Sequence, residues 1–305
     1  MNIIPNFKKL GALLVAAALV TAGCSSAAST AGAVSLVAST SVWADVARQV
    51  VGGLGSSRVS IKAIITSPTA DPHSYEVSTR DELAIKNADV IVENGGGYDD
   101  FMATMRSAAG AKGTVLDAVK ISGVRAVDGD LNEHVWYDFP AVARIAQRIA
   151  DALAEKDATD AATFRANARA FAVKLRGLEQ REAAVKARFA GEGVAITEPV
   201  PLYMLTACGL VNRTPRAFSS AVEDGQDVAV RVLQQTKDLF TSHQVKALVY
   251  NAQTTGPQTS SVVNAAKAAG VPVVPVTETL PKGRTYLGWM TANLAAVQSA
   301  LARGA

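Results

Sequence analysis

The sequence predicts a two-lobed α/β protein, each lobe a mostly parallel sheet flanked by helices, the two joined by one long rigid connector helix. Three observations predict it. Short apolar runs alternate with segments of helical period in the first half, the pattern of strands crossed over by helices into a parallel sheet. The same alternation returns in the second half. Between them, residues 161–190 contain no proline and a single glycine, Gly177.

The first residues stand apart from the fold. Lys8 and Lys9 precede the apolar stretch 10–20, which has the length of a signal-peptide core and is too short and Ala-rich to span a membrane. Thr21-Ala22-Gly23-Cys24 then places small residues directly before a cysteine and resembles a bacterial lipoprotein signal. Residues 1–23 are therefore expected to be a lipoprotein signal peptide, with Cys24 lipidated. Two or more acyl chains suffice for stable anchoring. Residues 24–34, rich in Ser, Ala, Thr and Gly, read as a flexible tether.

Residues 35–158 form the predicted N-terminal lobe. Strands are expected at 35–39, 59–66 and 88–93. Helices are expected at 42–51, ending at Gly52-Gly53, at 80–87 with Ser78 as N-cap, and at 101–108. Asn94-Gly95-Gly96-Gly97 is a turn. A weak apolar run occupies 124–127. In 140–155, Val142, Ile145, Ile149 and Leu153 recur at helical spacing, and Pro140 suits the first turn.

The connector is assigned to 159–190. Phe164, Ala168, Phe171, Leu175 and Leu178 mark one apolar stripe at steps of three and four. Fewer than three clean heptads are present, which argues against a coiled coil. The C-terminal lobe, 191–305, has predicted strands at 194–197, 247–250 and 271–277. Its predicted helices are 200–208, 227–243, 260–269 and the closing helix 286–301, with a turn at 281–284. No internal sequence repeat stands out.

Composition narrows the function. The net charge of +3 is spread along 305 residues without a Lys/Arg block, so nucleic acid is not an expected partner. The chain has no His-Glu-x-x-His segment, no Gly-x-Ser-x-Gly elbow and no P-loop, so an enzyme is not expected. With Cys24 acylated, Cys208 has no partner and reads as a small buried apolar residue at a helix end, before Gly209.

The chemistry-bearing residues are few. Among only three histidines, His73 and His134 sit in polar segments, Asp71-Pro72-His73-Ser74-Tyr75 and Asn132-Glu133-His134-Val135-Trp136. Glu198 and Glu278 each end an apolar run. In an open α/β sheet, ligands bind beyond the carboxyl ends of the strands, so these four are candidate ligands of a divalent metal in a cleft shared by the lobes. Two neutral imidazoles and two carboxylates carry −2, which matches one divalent cation. One-oxygen carboxylates give a zinc-like four-coordinate site; two-oxygen carboxylates suit manganese or ferrous iron. His243, at a predicted helix end, reads as a dipole partner or solvated residue and is excluded.

Asp71-Pro72-His73-Ser74-Tyr75-Glu76, then Asn87-Ala88-Asp89 leading to Gly97-Tyr98-Asp99-Asp100, then His134-Val135-Trp136-Tyr137-Asp138, resemble the metal-binding lipoproteins of zinc/manganese ABC importers, the cluster A-I or adhesin-type solute-binding proteins. The resemblance runs from Ser35 to the closing helix. It implies two lobes on one rigid helix and a metal held by His73, His134, Glu198 and Glu278, with Mn2+ or Zn2+, and Fe2+ admitted, as the transported ligand. It also implies an ABC permease with its cytoplasmic ATPase as partner, and a monomer held outside the cell membrane by lipidated Cys24. Three departures bear on the metal. The family's usual Asn-Pro-His is Asn132-Glu133-His134, so Glu133 adds negative charge. Glu278 stands where aspartate is usual. No His-rich loop is present. The missing loop and Glu198 in place of a third histidine favour manganese, with zinc left open. The alternatives are a same-fold receptor for a metal chelate of siderophore or cobalamin type, against which 6% aromatic content argues, and a surface adhesin.

Overall fold

The computed structural model describes residues 32–127 and 129–303. The signal peptide, Cys24 and most of the tether lie outside the described residues. The chain runs β1 (Val34–Thr40), α1 (Ser41–Val51), β2 (Val59–Ile65), α2 (Thr79–Lys86), β3 (Val90–Glu93), α3 (Asp100–Ala109), β4 (Thr114–Asp117), α4 (Ala118–Ser122) and α5 (Phe139–Lys156). The long helix α6 (Ala161–Phe189) follows. Then come β5 (Gly193–Ile196), α7 (Leu202–Ala207), β6 (Val211–Asn212), α8 (Arg216–Glu223), α9 (Val230–Thr241), β7 (Ala247–Asn251), α10 (Pro257–Ala268), β8 (Val273–Val276) and α11 (Tyr286–Arg303).

The strands form two four-stranded sheets, ordered β2-β1-β3-β4 and β6-β5-β7-β8, with every pairing parallel. Each half thus builds the same order from its own strands, a structural repeat that leaves no trace in the residues. All residues of β3 and of β5 are buried, as expected for strands covered by helices on both faces, and this is why they read as unbroken apolar runs.

The largest differences from the sequence reading lie in short elements. The weak apolar run 124–127 is loop, with Val127 making one isolated bridge to Asp130. The fourth strand of the first sheet is instead β4, only four residues long. In the second half, β6 is a two-residue strand and α8 an eight-residue helix, both too short to generate a readable period. The helix expected from 227 begins at Val230, because Ala229 has the extended conformation φ −56°, ψ 136°.

Helix α6 buries Phe164, Ala168, Phe171, Leu175, Leu178, Glu182, Val185 and Phe189 along one face. At 29 residues it is about 43 Å long. It lies against α1, α5, α7 and α11. The main apolar core is continuous through both halves: Leu36 and Val92 of the first sheet, Phe171 and Leu175 of α6, Val194 and Val249 of the second sheet, and Met290 of α11 belong to one cluster. Polar ties reinforce it. The Tyr286 backbone N–H donates to Asp45 (2.9 Å), the Tyr286 hydroxyl to the carbonyl of Trp136 (2.5 Å), and the Tyr137 hydroxyl to the carbonyl of Thr277 (2.9 Å). Cys208 is buried and free, its thiol pushed up to about 12 by burial. No helix among the described residues is long and apolar enough to cross a membrane.

Candidate metal centre

His73 is placed by a 3-10 turn, Pro72–Ser74, that follows β2. Asp71 caps the turn: one carboxylate oxygen accepts from the His73 backbone N–H (2.9 Å) and the other from the Ser74 hydroxyl (3.0 Å). Pro72 presets the backbone of the first turn position. The Asp-Pro-His-Ser string is therefore a local device that fixes where the imidazole leaves the chain.

His134 is held differently, from deep inside. Asn94, at the end of β3, donates from its side-chain amide to the carbonyl of Glu133 (3.0 Å) and accepts from the Trp43 indole N–H (3.2 Å). The turn after Asn94 is closed by Asp99, which accepts from the backbone N–H of Asn94 and Gly95. Gly95 has φ +75°, and a Cβ there would fall 2.5 Å from the Asp117 carboxylate, so only glycine fits. Asn132 completes the support. Its amide donates to the Pro199 carbonyl (3.2 Å), and its side-chain oxygen accepts from the His134 backbone N–H (3.2 Å) and meets His134 Nδ1 at 2.7 Å. An oxygen acceptor at Nδ1 selects the tautomer protonated there. Nε2 is left with its lone pair free, the arrangement a metal-binding histidine needs.

The two imidazoles meet in one place. One ligand atom each from His73, Glu133, His134 and Glu223 lie within 4.8 Å of one another. Opposite ligands around a single ion, at about 2.0–2.2 Å per bond, span a little over 4 Å. Glu223 Oε1 is 3.3 Å from His134 Nε2 and 3.7 Å from His73 Nε2, and Glu133 Oε1 is 3.9 Å from His73 Nε2. Asp71, His73 and Glu278 form a second, overlapping group. Tyr98 packs its ring edgewise between the histidines, 5.1 Å from His73 and 5.9 Å from His134.

Glu278, two residues beyond β8, is buried; Asn251 donates to its Oε1 at 2.6 Å. Its backbone N–H donates to the Gln253 side-chain oxygen. The same glutamine donates to the Pro68 carbonyl (2.9 Å) and to the Thr279 hydroxyl (2.8 Å), tying the Glu278 loop to the segment that leads to His73. Glu198, two residues beyond β5, is also buried. It belongs to neither tight group, yet its charge acts on both Glu223 and Glu278.

The electrostatics have one theme. Burial is the leading cause of every shift here. Burial pushes Glu198 up to about 7; burial first, and then repulsion between the carboxylates, push Glu278 up to about 8 and Glu223 to about 10. Burial also holds His134 far below the ordinary imidazole value, and His73 below it too. His134 Nε2, Glu198 Oε2, both oxygens of Glu223 and Glu278 Oε2 are buried without a hydrogen-bond partner. Buried polar atoms are nearly always satisfied. A cluster of such unpartnered lone pairs in the interior has the chemistry of a cation site.

Three of the four sequence-derived candidates, His73, His134 and Glu278, thus fall in the two overlapping groups, and Glu198 lies beside them. His243 is exposed at φ +54° and belongs to neither group. Glu133 places its carboxyl at the first of these groups, 3.9 Å from His73 Nε2, with its pKa raised by burial. Glu223 had no sequence signal: it arrives at the C-terminal end of α8, a helix the residue pattern did not reveal.

Comparison with known proteins agrees with this architecture. Residues 36–300 match the family described as ZnuA, zinc-uptake complex component A, periplasmic. The manganese-binding lipoprotein MntA of Halalkalibacterium halodurans is 27% identical over 173 residues, 55% of this chain and 56% of that protein. The chain thus spans little more than half the length of this curated relative. Two solved structures share the fold. FpvC of Pseudomonas aeruginosa in complex with Mn2+ has a TM-score of 0.73 at 21% identity, covering 90% of this chain and 100% of its own. Zn(II)-bound AdcAII of Streptococcus pneumoniae, an H205L variant, has a TM-score of 0.69 at 21% identity, covering 88% and 99%. By the family match over 36–300, the chain belongs to the ZnuA family of periplasmic zinc-uptake complex components.

Proposed function

We propose that the chain is the extracytoplasmic receptor of a metal ABC importer. It is anchored to the membrane through lipidated Cys24, captures Mn2+ or Zn2+ in the cleft between its two sheets, and delivers the ion to a permease driven by a cytoplasmic ATPase. In this reading His73, His134, Glu198 and Glu278 surround the ion. The observation that carries it is the buried, unpartnered Nε2 of His134, its tautomer set by Asn132, facing carboxylate oxygens that also lack partners. The names of the family and of its relatives support the transport role. A closed set of protein ligands, with no open position for a substrate, suits capture better than catalysis.

Elemental analysis of purified protein, followed by Mn2+ and Zn2+ titration of wild type and His73→Ala, tests the reading. Wild type is expected to bind one equivalent of metal, with affinity lost in the variant by about a hundredfold or more. A His73→Ala protein that binds both ions as tightly as wild type would sink it.

A further inference from the structure

The proposed reading leaves Glu223 unassigned. Its carboxylate lies 3.3 Å from His134 Nε2 and 3.7 Å from His73 Nε2, nearer than the Glu133 carboxylate at 3.9 Å from His73. Both of its oxygens are buried, and neither has a hydrogen-bond donor. It is held at the end of α8, with Phe218 and Val222 anchoring the helix in the core. A carboxyl placed between two neutral imidazoles, with no donor or cationic side chain on it among the described residues, is balanced by a proton when the site is empty and by a cation once that proton is displaced.

We propose that Glu223 is a direct ligand of the transported ion and the residue that raises the site's preference for manganous ion relative to zinc. This rests on the metal-capture reading above. Zinc is satisfied by about four donors and favours nitrogen. For almost any nitrogen and oxygen site, zinc also binds more tightly than manganese, so manganese gains ground only through oxygen donors and a higher coordination number. His73, His134 and Glu278 already supply two nitrogens and a carboxylate. Adding Glu223, with Glu133 beside it, makes the set oxygen-rich and able to reach five or six bonds. The excess negative charge also suits a hard ion.

The experiment compares full-length wild type with Glu223→Gln, which keeps size and shape, in competition titrations with Mn2+ and with Zn2+. X-ray absorption on each loaded protein counts the light-atom ligands. The Mn2+ dissociation constant is expected to rise by about tenfold to a hundredfold, and that of Zn2+ by about threefold or less. The manganese coordination number should fall in the variant. Glu223→Asp, which retracts the carboxylate by one methylene, should lie between. Equal losses for both ions, or no loss for either, overturn the proposal while leaving metal capture standing. If wild type binds neither ion, or His73→Ala binds both as wild type does, the capture reading itself fails and this one with it.

Discussion

The two halves of the molecule have the same strand order and parallel pairing, yet they bring opposite chemistry to the cleft. The first half offers both imidazoles, their pKa lowered by burial, with the Glu133 carboxyl beside them. The second offers only carboxylates, Glu198, Glu223 and Glu278, each pushed up toward or beyond neutrality. Each half also has one asparagine that orients a proposed ligand: Asn132 on His134 Nδ1 and Asn251 on Glu278 Oε1. Equal scaffolds therefore do unequal work. The nitrogen side supplies fixed, directional lone pairs; the oxygen side supplies charge that exists in full only when a cation is present.

The sharpest way to break this comparison is to remove a ligand from each side. His134→Ala should cost metal affinity about a hundredfold or more, because a fully buried donor leaves no substitute behind. Glu198→Gln should cost about tenfold, because it belongs to neither close group of ligand atoms. Calorimetric titration of the two variants side by side checks the order, and a larger loss at Glu198 would reverse the assignment of roles.

A smaller effect is expected from the two supporting asparagines. Asn132→Ala frees the tautomer and orientation of His134 and should weaken binding by about tenfold to a hundredfold. Asn251→Ala should cost less, since Glu278 keeps its burial and its backbone tie to Gln253. Equal losses in a competition assay would mean that the carboxylate side is as strictly oriented as the histidine side.

The smallest effect is on stability against pH. His73 and His134, lowered in the folded state, add only a small opposing rise as the unfolded chain loses its last imidazolium protons, and this rise fades by about pH 7.5. Glu198, Glu278 and Glu223, raised from 4.5 to about 7, about 8 and about 10, still hold protons in the folded state that the unfolded chain has released. Stability of the metal-free protein must then fall as pH rises from 6.5 to 8. A drop in melting temperature of about 2–4 °C is expected. A metal-loaded sample should keep only the shallower slope contributed by Glu182, which is also raised to about 8. Parallel curves with and without metal would show that these carboxyls do not exchange protons for the ion.

What the residues reveal in advance follows from element length. The fully buried strands and the 29-residue helix α6 have patterns long enough to read. His73 could be located because Asp71-Pro72 forms a self-contained turn. Glu278 could be located because it directly follows an apolar strand. Glu223 could not, because α8 contributes only Phe218 and Val222 as a recognisable apolar pair and the carboxylate reaches the cleft only through tertiary packing. The shared order of the two sheets was invisible for a related reason: parallel pairing asks only for apolar strands, and many unrelated strings of Val, Ile and Ala satisfy it.

The contact between α11 and α1 has a consequence for how the chain becomes a protein. The last helix packs against the first and against α6, and its Tyr286 reaches both Asp45 and Trp136. Neither half can cover its apolar surface until the C-terminal residues have arrived. A chain cut before Tyr286 would leave both halves with uncovered core, open to proteases and to self-association. The protein should therefore melt in a single step, with no stable half-molecule in between.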